Sequence, residues 1–283
     1  MRFLQMYHTD LKKVIKCPVC SAELELDGSG KSLYCCGPRR HCFDFSAKGH
    51  VNFALGHSGG GDSKEAVRSR SAFLEKGYYR PFADELCSLL SKYLPKGATV
   101  IDAGCGEGYY TNLVAQKCCV NTVGFDLSKF GVEHAAAVAK REGIDKSFFA
   151  VAGIFDMPVF DGSADAVINL FAPCAEGEFT RVLKKGGILV VVGAGEDHLF
   201  GLKRAVYDEP YKNEPRNDLP ENMKHIESKK VRFEISLSDK NDRMALFAMT
   251  PYFYRTSRKD MEKLENAEEL VTEVEFNIEV YEK

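Results

Sequence analysis

The spacing of apolar positions divides the chain into a short front part and a long remainder with two alternating periods. In the remainder, β-branched or aromatic runs at 99–101, 122–125, 147–151, 164–170 and 188–192 read as buried strands. Between them, 82–93, 110–117, 133–141 and 176–183 have helical spacing; in the first of these, Leu86, Leu89 and Leu90 share one face. Strand–helix alternation of this kind predicts an α/β fold, a mostly parallel sheet with right-handed crossovers. A ligand is then expected beyond the carboxyl ends of the strands. The pattern differs in the tail, where 231–237 and 271–280 alternate and 245–249 is apolar; this predicts added strands at the sheet edge, some antiparallel.

The front part reads as a small hairpin. After a polar lead-in at 1–16, residues 22–26 alternate, Asp27-Gly-Ser-Gly30 is a turn, and 32–34 would pair back. Residues 43–45 and 51–53 are expected to close this unit as a strand and turn. The glycine-rich stretch 56–62 is the clearest linker, and 64–75 is helical up to the break at Gly77-Tyr-Tyr-Arg-Pro81. The expected organisation is a ribbon at 1–56, a linker and helix at 57–81, and a main domain at 82–283.

Chemistry enters at Val100-Ile-Asp-Ala-Gly-Cys-Gly-Glu-Gly108. Strand, glycine turn and helix follow one another there, so the backbone can approach a ligand where a Cβ would collide. The spacing is Gly-x-Gly-x-Gly, not the Gly-x-Gly-x-x-Gly of pyrophosphate binders, and no Lys-Ser/Thr follows to form a P-loop. Asp102 precedes the turn. Asp126 ends the next strand, at the offset of a carboxylate that grips ribose hydroxyls. This stretch resembles the first motif of class I (Rossmann-like) S-adenosylmethionine-dependent methyltransferases; a nicotinamide dehydrogenase or a plain tight turn is the alternative.

Five of the 10 cysteines, Cys17, Cys20, Cys35, Cys36 and Cys42, crowd the first 42 residues. Clustered cysteines in an intracellular chain point to metal rather than disulfides. Cys17-Pro-Val-Cys20 and the segment Cys35-Cys36-Gly-Pro-Arg-Arg-His41-Cys42 would face each other across the hairpin as a zinc ribbon. Cys36 and His41 are taken as the second ligand pair, with Cys35 and Cys42 as rivals; a redox Cys-x-x-Cys lacks its thioredoxin-like context here.

Net charge is −3, but residues 1–81 hold 13 Lys+Arg against 8 Asp+Glu while 82–283 hold 25 against 33. A basic front end on an acidic remainder suggests contact with a polyanion, with Arg39, Arg40, Arg68 and Arg70 on the facing surface. No apolar run reaches the ~18 residues of a membrane span, and residues 1–16 lack the features of a secretory signal. A soluble cytoplasmic protein without membrane contact is expected.

Several motifs occur in one order: the Cys-Pro-x-Cys, the Cys36/His41 pair, Arg70 through Phe73-Leu-x-x-Gly-x-Tyr79, the turn from Asp102 to Thr111, Ala172-Pro-Cys174, His198-Leu199 and Met249-Thr-Pro251. Together they resemble the RlmA family, the 23S ribosomal RNA guanine-N1 methyltransferases, over nearly the whole chain. The resemblance implies methyl transfer from S-adenosylmethionine to N1 of one guanine in a 23S rRNA hairpin, with zinc held by Cys17, Cys20, Cys36 and His41. It implies cofactor contacts from Tyr79, Asp102, Gly104, Gly106, Glu107, Gly108, Tyr110, Thr111, Asp126 and His198. Four residues separate Cys36 from His41 where three are expected. Whether the protein forms a homodimer is left open.

N1 lies on the pairing edge of guanine, so the base must be unpaired or flipped out before it reacts. Phe171 is a candidate to stack on the base, with packing into the core as the alternative. Cys174 after a proline raises a second reading, a cytosine-C5 methyltransferase with a covalent thiolate. A small-molecule methyltransferase with a structural ribbon, and an RNA-binding module without catalysis, are the further alternatives.

Overall fold

The computed structural model describes residues 11–54, 56 and 61–283. Most of the polar lead-in (1–10) and the linker residues 57–60 lie outside the described residues. The front part forms a three-stranded antiparallel sheet from β1 (Leu24–Leu26), β2 (Ser32–Cys35) and β3 (Cys42–Asp44). Asp27 sets its first turn by accepting from the Lys31 amide at 2.8 Å.

The main sheet has eight strands. They are β4 (Val51–Asn52), β5 (Thr99–Ala103), β6 (Asn121–Asp126), β7 (Ser147–Val151), β8 (Ala164–Leu170), β9 (Leu183–Ala194), β10 (Lys224–Leu237) and β11 (Leu270–Glu282). Their spatial order is β10-β11-β9-β8-β5-β6-β7-β4, parallel from β4 to β9, with β11 and β10 antiparallel at the far edge. This is the mostly parallel sheet that the alternation predicts, with the antiparallel edge strands expected of the tail. The helices are α1 (Lys64–Glu75), α2 (Arg80–Tyr93), α3 (Tyr109–Cys118), α4 (Lys129–Glu142), α5 (Glu176–Val182), α6 (Phe200–Val206), α7 (Lys240–Ala248) and α8 (Arg258–Glu265). Ser63 and Ser128 cap α1 and α4 by accepting from the Ala66 and Gly131 amides.

Both faces of the sheet are covered, which is why β5 is buried at every position. Val100 joins a core with Phe73, Phe82, Leu86 and Leu90 from α1 and α2, while Ile101 and Ala103 join a core on the opposite face. That second core contains Leu11, Val14, Ile15, Leu24, Leu33 and Phe43 of the front part. The ribbon therefore shares its apolar interior with the sheet, as expected of a unit too small to bury a core alone.

Two sequence expectations are corrected. Residues 51–53 do not close the ribbon: β4 pairs in parallel with β7 and extends the main sheet, with an isolated bridge from Val51 to Phe45. Residues 245–249, expected as a strand, complete α7, because Asp239 caps a helix just upstream and a short apolar run is periodically ambiguous. Immediately after α5, Lys184-Lys-Gly-Gly187 bulges within β9, where the register with β8 slips and Gly186 takes φ +76°.

Candidate functional site

β5 leads to β6 on one side while β8 lies on its other side, so the sheet reverses direction at the end of β5. An open α/β sheet binds its ligand at this point. The turn that follows places Gly104, Gly106 and Gly108 at φ +96°, +53° and +77°. A Cβ on Gly104 would sit 2.6 Å from the Ala172 Cβ, and one on Gly108 2.4 Å from the Ala135 Cβ. The bare backbone is thus pressed between the turn after β8 and helix α4. Gly104→Val adds both a collision and a left-handed strain; we expect calorimetry to show at least about a tenfold loss of S-adenosylmethionine affinity.

Two carboxylates flank this turn. Asp126 accepts from the Gly106 amide at 2.9 Å and from the Ser128 amide at 2.7 Å, which ties the end of β6 to the glycine turn. Burial pushes its pKa up, and those two N–H donors oppose the shift. Asp102 is only 2 % exposed. Its Oδ2 accepts from the Thr111 hydroxyl at 2.5 Å, and its Oδ1 has no hydrogen-bond partner. Burial pushes Asp102 up to about 7, against the pull of Thr111 and with help from Asp126 and Glu107. Thr111 is fully buried, so its hydroxyl positions Asp102.

Glu107 is turned inward and pairs with Arg70 of α1, which also reaches Asp62 at 2.5 Å. Burial opposes the charge on Arg70, yet Glu107 and Asp62 hold its pKa above the ordinary value. Arg70 is not the outward, polyanion-facing residue expected from the sequence: its Nη2 lies 3.1 Å from where a Cβ on Gly106 would be. The remaining site residues gather on Phe276 of β11. Ring centroids of His198, Phe82, Phe171 and Tyr79 lie 4.6, 4.7, 4.9 and 5.3 Å from it, and Tyr110 joins through Phe82 at 5.3 Å. Burial drives His198 down to about 3, so its ring is neutral. The Glu275 amide donates to its Nδ1 at 3.3 Å, which leaves the proton on Nε2.

The turn after β8 is built by Asn169, whose Nδ2 donates to the Ala103 and Pro173 carbonyls at 3.1 Å each. Phe171 follows at φ +58°, a left-handed conformation that costs a non-glycine residue about 1–2 kcal/mol. It leaves the ring 47 % exposed. Cys174 is part-buried, and burial pushes its thiol up to about 11, the reverse of what an activated nucleophile needs.

At the front of the chain, one ligand atom each from Cys17, Cys20, Cys35 and His41 lies within 4.8 Å of the others. His41 Nδ1 is 3.5, 3.5 and 3.2 Å from the sulfurs of Cys17, Cys20 and Cys35, and Cys20 and Cys35 sulfurs are 3.8 Å apart. These edges suit a tetrahedron with Zn–S near about 2.3 Å and Zn–N near about 2.0 Å. The set fits zinc, and it corrects the sequence assignment: Cys35 points in from β2, whereas Cys36 and Cys42 are exposed. Position explains the exchange: Cys35, the last residue of β2, shares the buried face with Leu33, and Cys36 lies just past the strand. The exchange widens the spacing, since five residues separate Cys35 from His41; the assignment rests on the geometry of the four ligand atoms.

Sequence reasoning missed Phe276, which reads only as part of an alternating strand. It also missed Arg216 and Asp218 on the irregular strap 207–223, which no periodicity marks. Arg216 donates to Asn169 Oδ1 at 2.9 Å and to the Ala172 carbonyl at 2.7 Å, and Asp218 accepts from the Cys174 amide at 2.9 Å.

Residues 94–268 match the family model described as a methyltransferase domain. The chain is 32% identical over 199 residues to a 23S rRNA (guanine(748)-N1)-methyltransferase of Streptomyces fradiae, spanning 69% of this chain and 68% of that one. It is 34% identical over 204 residues, 69% of each chain, to YxjB of Bacillus subtilis (strain 168), whose name assigns it provisionally to 23S rRNA (guanine-N1) methylation. With the class I sheet, the glycine turn and the buried carboxylate already in place, these matches make the chain a member of the S-adenosylmethionine-dependent methyltransferases, in the 23S rRNA (guanine-N1)-methyltransferase family.

Proposed function

We propose that the protein transfers a methyl group from S-adenosylmethionine to N1 of one guanine in a 23S rRNA hairpin. The observation that carries this reading is the exposed Phe171 ring beside Ala172, the residue against which Gly104 of the cofactor turn is packed. A flat base laid on that ring is within reach of a group held by the glycine turn. The cofactor supplies an electrophilic methyl carbon. The chain's task is then to hold donor and base in line and to receive a proton.

Under this reading the Gly104–Gly108 backbone and Asp126 hold the nucleoside, and Asp102 balances the cofactor's positive charge. Neutral His198 presents Nε2–H, with Tyr79 and Tyr110 beside it in the aromatic wall. Asp218 is the carboxylate placed to take the N1 proton: Arg216 and the Cys174 amide hold it below the usual carboxylate range, although partial burial opposes this. The zinc ribbon, with Arg39 and Arg40, is the RNA-facing module, and an rRNA substrate would place the protein in the cytoplasm. No described helix is long and apolar enough to cross a membrane.

The test uses the full chain, methyl-labelled cofactor and unmodified 23S rRNA, with mass mapping of the product. A single 1-methylguanosine is expected. Label at cytosine C5, or label only in a metabolite pool, would overturn the reading. Cys174→Ala adds a second arm: we expect at least about a third of the turnover to remain, whereas a covalent thiolate mechanism predicts its abolition.

A further inference from the structure

The Arg216 side chain is 15 % exposed and lies across the carboxyl ends of β8 and β9. Its Nε bonds Asp218 Oδ1 at 2.5 Å and its Nη1 bonds the Val192 carbonyl at 3.1 Å. Its Nη2 is an amino group on a guanidine-type carbon, and it donates to Asn169 Oδ1 (2.9 Å) and the Ala172 carbonyl (2.7 Å), with Asp218 Oδ2 at 3.0 Å. Asn169 is fully buried, and its Oδ1 is aimed by the two bonds that its own Nδ2 makes to Ala103 and Pro173. Two fixed acceptors therefore converge on one amino group, beside the exposed Phe171 ring and against Gly104.

Guanine carries the same chemical unit. Its C2 amino group sits on a carbon bonded to N1 and N3, as a guanidine. Adenine and inosine lack an amino group there. Resting on the methyltransferase reading above, we propose that Asn169 Oδ1 and the Ala172 carbonyl select the target by accepting from the guanine 2-amino group, and that Arg216 Nη2 fills this subsite until the base displaces it. Holding the exocyclic amine rather than N1–H leaves the in-plane lone pair of N1, once its proton has left, free to face the methyl carbon. Displacing Arg216 also frees Asp218 from its guanidinium partner while its bond to the Cys174 amide persists. The strap is anchored at a distance from this subsite: Lys203 Nζ donates to the Tyr211 carbonyl and Asn213 Oδ1 at 3.0 and 2.8 Å, and Asn213 Nδ2 donates to the His198 carbonyl at 2.8 Å. Arg216 can therefore swing out without the strap detaching.

The experiment compares synthetic copies of the hairpin that the wild-type protein methylates, with guanine or inosine at the target position. Inosine keeps N1–H and loses only the amino group. We expect kcat/KM to fall at least about a hundredfold on inosine, because two buried acceptors lose their donor. In Arg216→Ala, with the guanine hairpin, we expect KM for RNA to fall by about threefold or more and the cofactor Kd to stay put. Equal use of inosine overturns the proposal without any variant having to fold, and so does a weakened hairpin KM in Arg216→Ala. If the wild-type protein methylates no rRNA guanine, the functional reading itself fails. If it methylates guanine and accepts inosine equally, only the amino-group subsite fails.

Discussion

Asp102→Asn is expected to raise the S-adenosylmethionine Kd by about ten- to a hundredfold, the range of a charge-assisted contact in a buried site, while leaving the unliganded protein at least as stable as wild type. The carboxylate is buried with one oxygen unpartnered and a pKa raised to about 7. The sign follows from linkage. The folded, cofactor-free protein binds this proton more tightly than the unfolded chain. The group's contribution to stability is therefore full below the unfolded pKa and is lost as pH rises toward 7. Asparagine never ionises, so it avoids a cost of roughly 4 kcal/mol at most, from about three pKa units. Cofactor binding runs the other way, because a cation favours the ionised carboxylate. Wild-type Kd should weaken by about fivefold between about pH 7 and pH 6, and the Asn variant should show a flat profile. Calorimetry across this window checks the binding, and a melting curve of the unliganded protein checks the stability. A pH-dependent Kd that survives in the variant would assign the titration to another group.

Cys35→Ser is expected to empty the zinc site, and Cys36→Ser to leave it filled. Elemental analysis should read close to one zinc per chain for wild type and the Cys36 variant, and near zero for the Cys35 variant. Structural zinc contributes about 10–16 kcal/mol of apparent binding free energy in small domains. The loss should also spread: Leu24, Leu33 and Phe43 of the ribbon pack in the same core as Ile101 and Val123 of the main sheet. We therefore expect the melting temperature of the whole chain to drop, not that of a detached ribbon alone. Retention of zinc by the Cys35 variant and its loss from the Cys36 variant would restore the sequence-based ligand set.

The parallel sheet is legible in the sequence because each buried strand and each amphipathic helix carries its own period. The glycine turn is legible because conformation there excludes most side chains. Choosing between Cys35 and Cys36 is harder, since neither meets the expected spacing to His41 and only the buried face at the end of β2 tells them apart. Arg70 has the look of surface charge in the sequence, and its partner Glu107 lies far along the chain, inside the glycine turn. Phe276 and Arg216 depend on strand order and on an irregular strap, so their place at the site follows from long-range topology that no local window holds. The apolar stretch in α7 misleads for the opposite reason: it is too short for its period to separate helix from strand.

β4 gives the ribbon a hydrogen-bonded mount on β7, the strand next to the cofactor's own β6. A nucleic-acid grip attached through a sheet edge, rather than a tether, keeps a set distance from the reacting carbon. Under the proposed function the two parts work like the jaws of a caliper, and the nucleotide modified would be the one that falls a fixed span from the point where the stem is grasped.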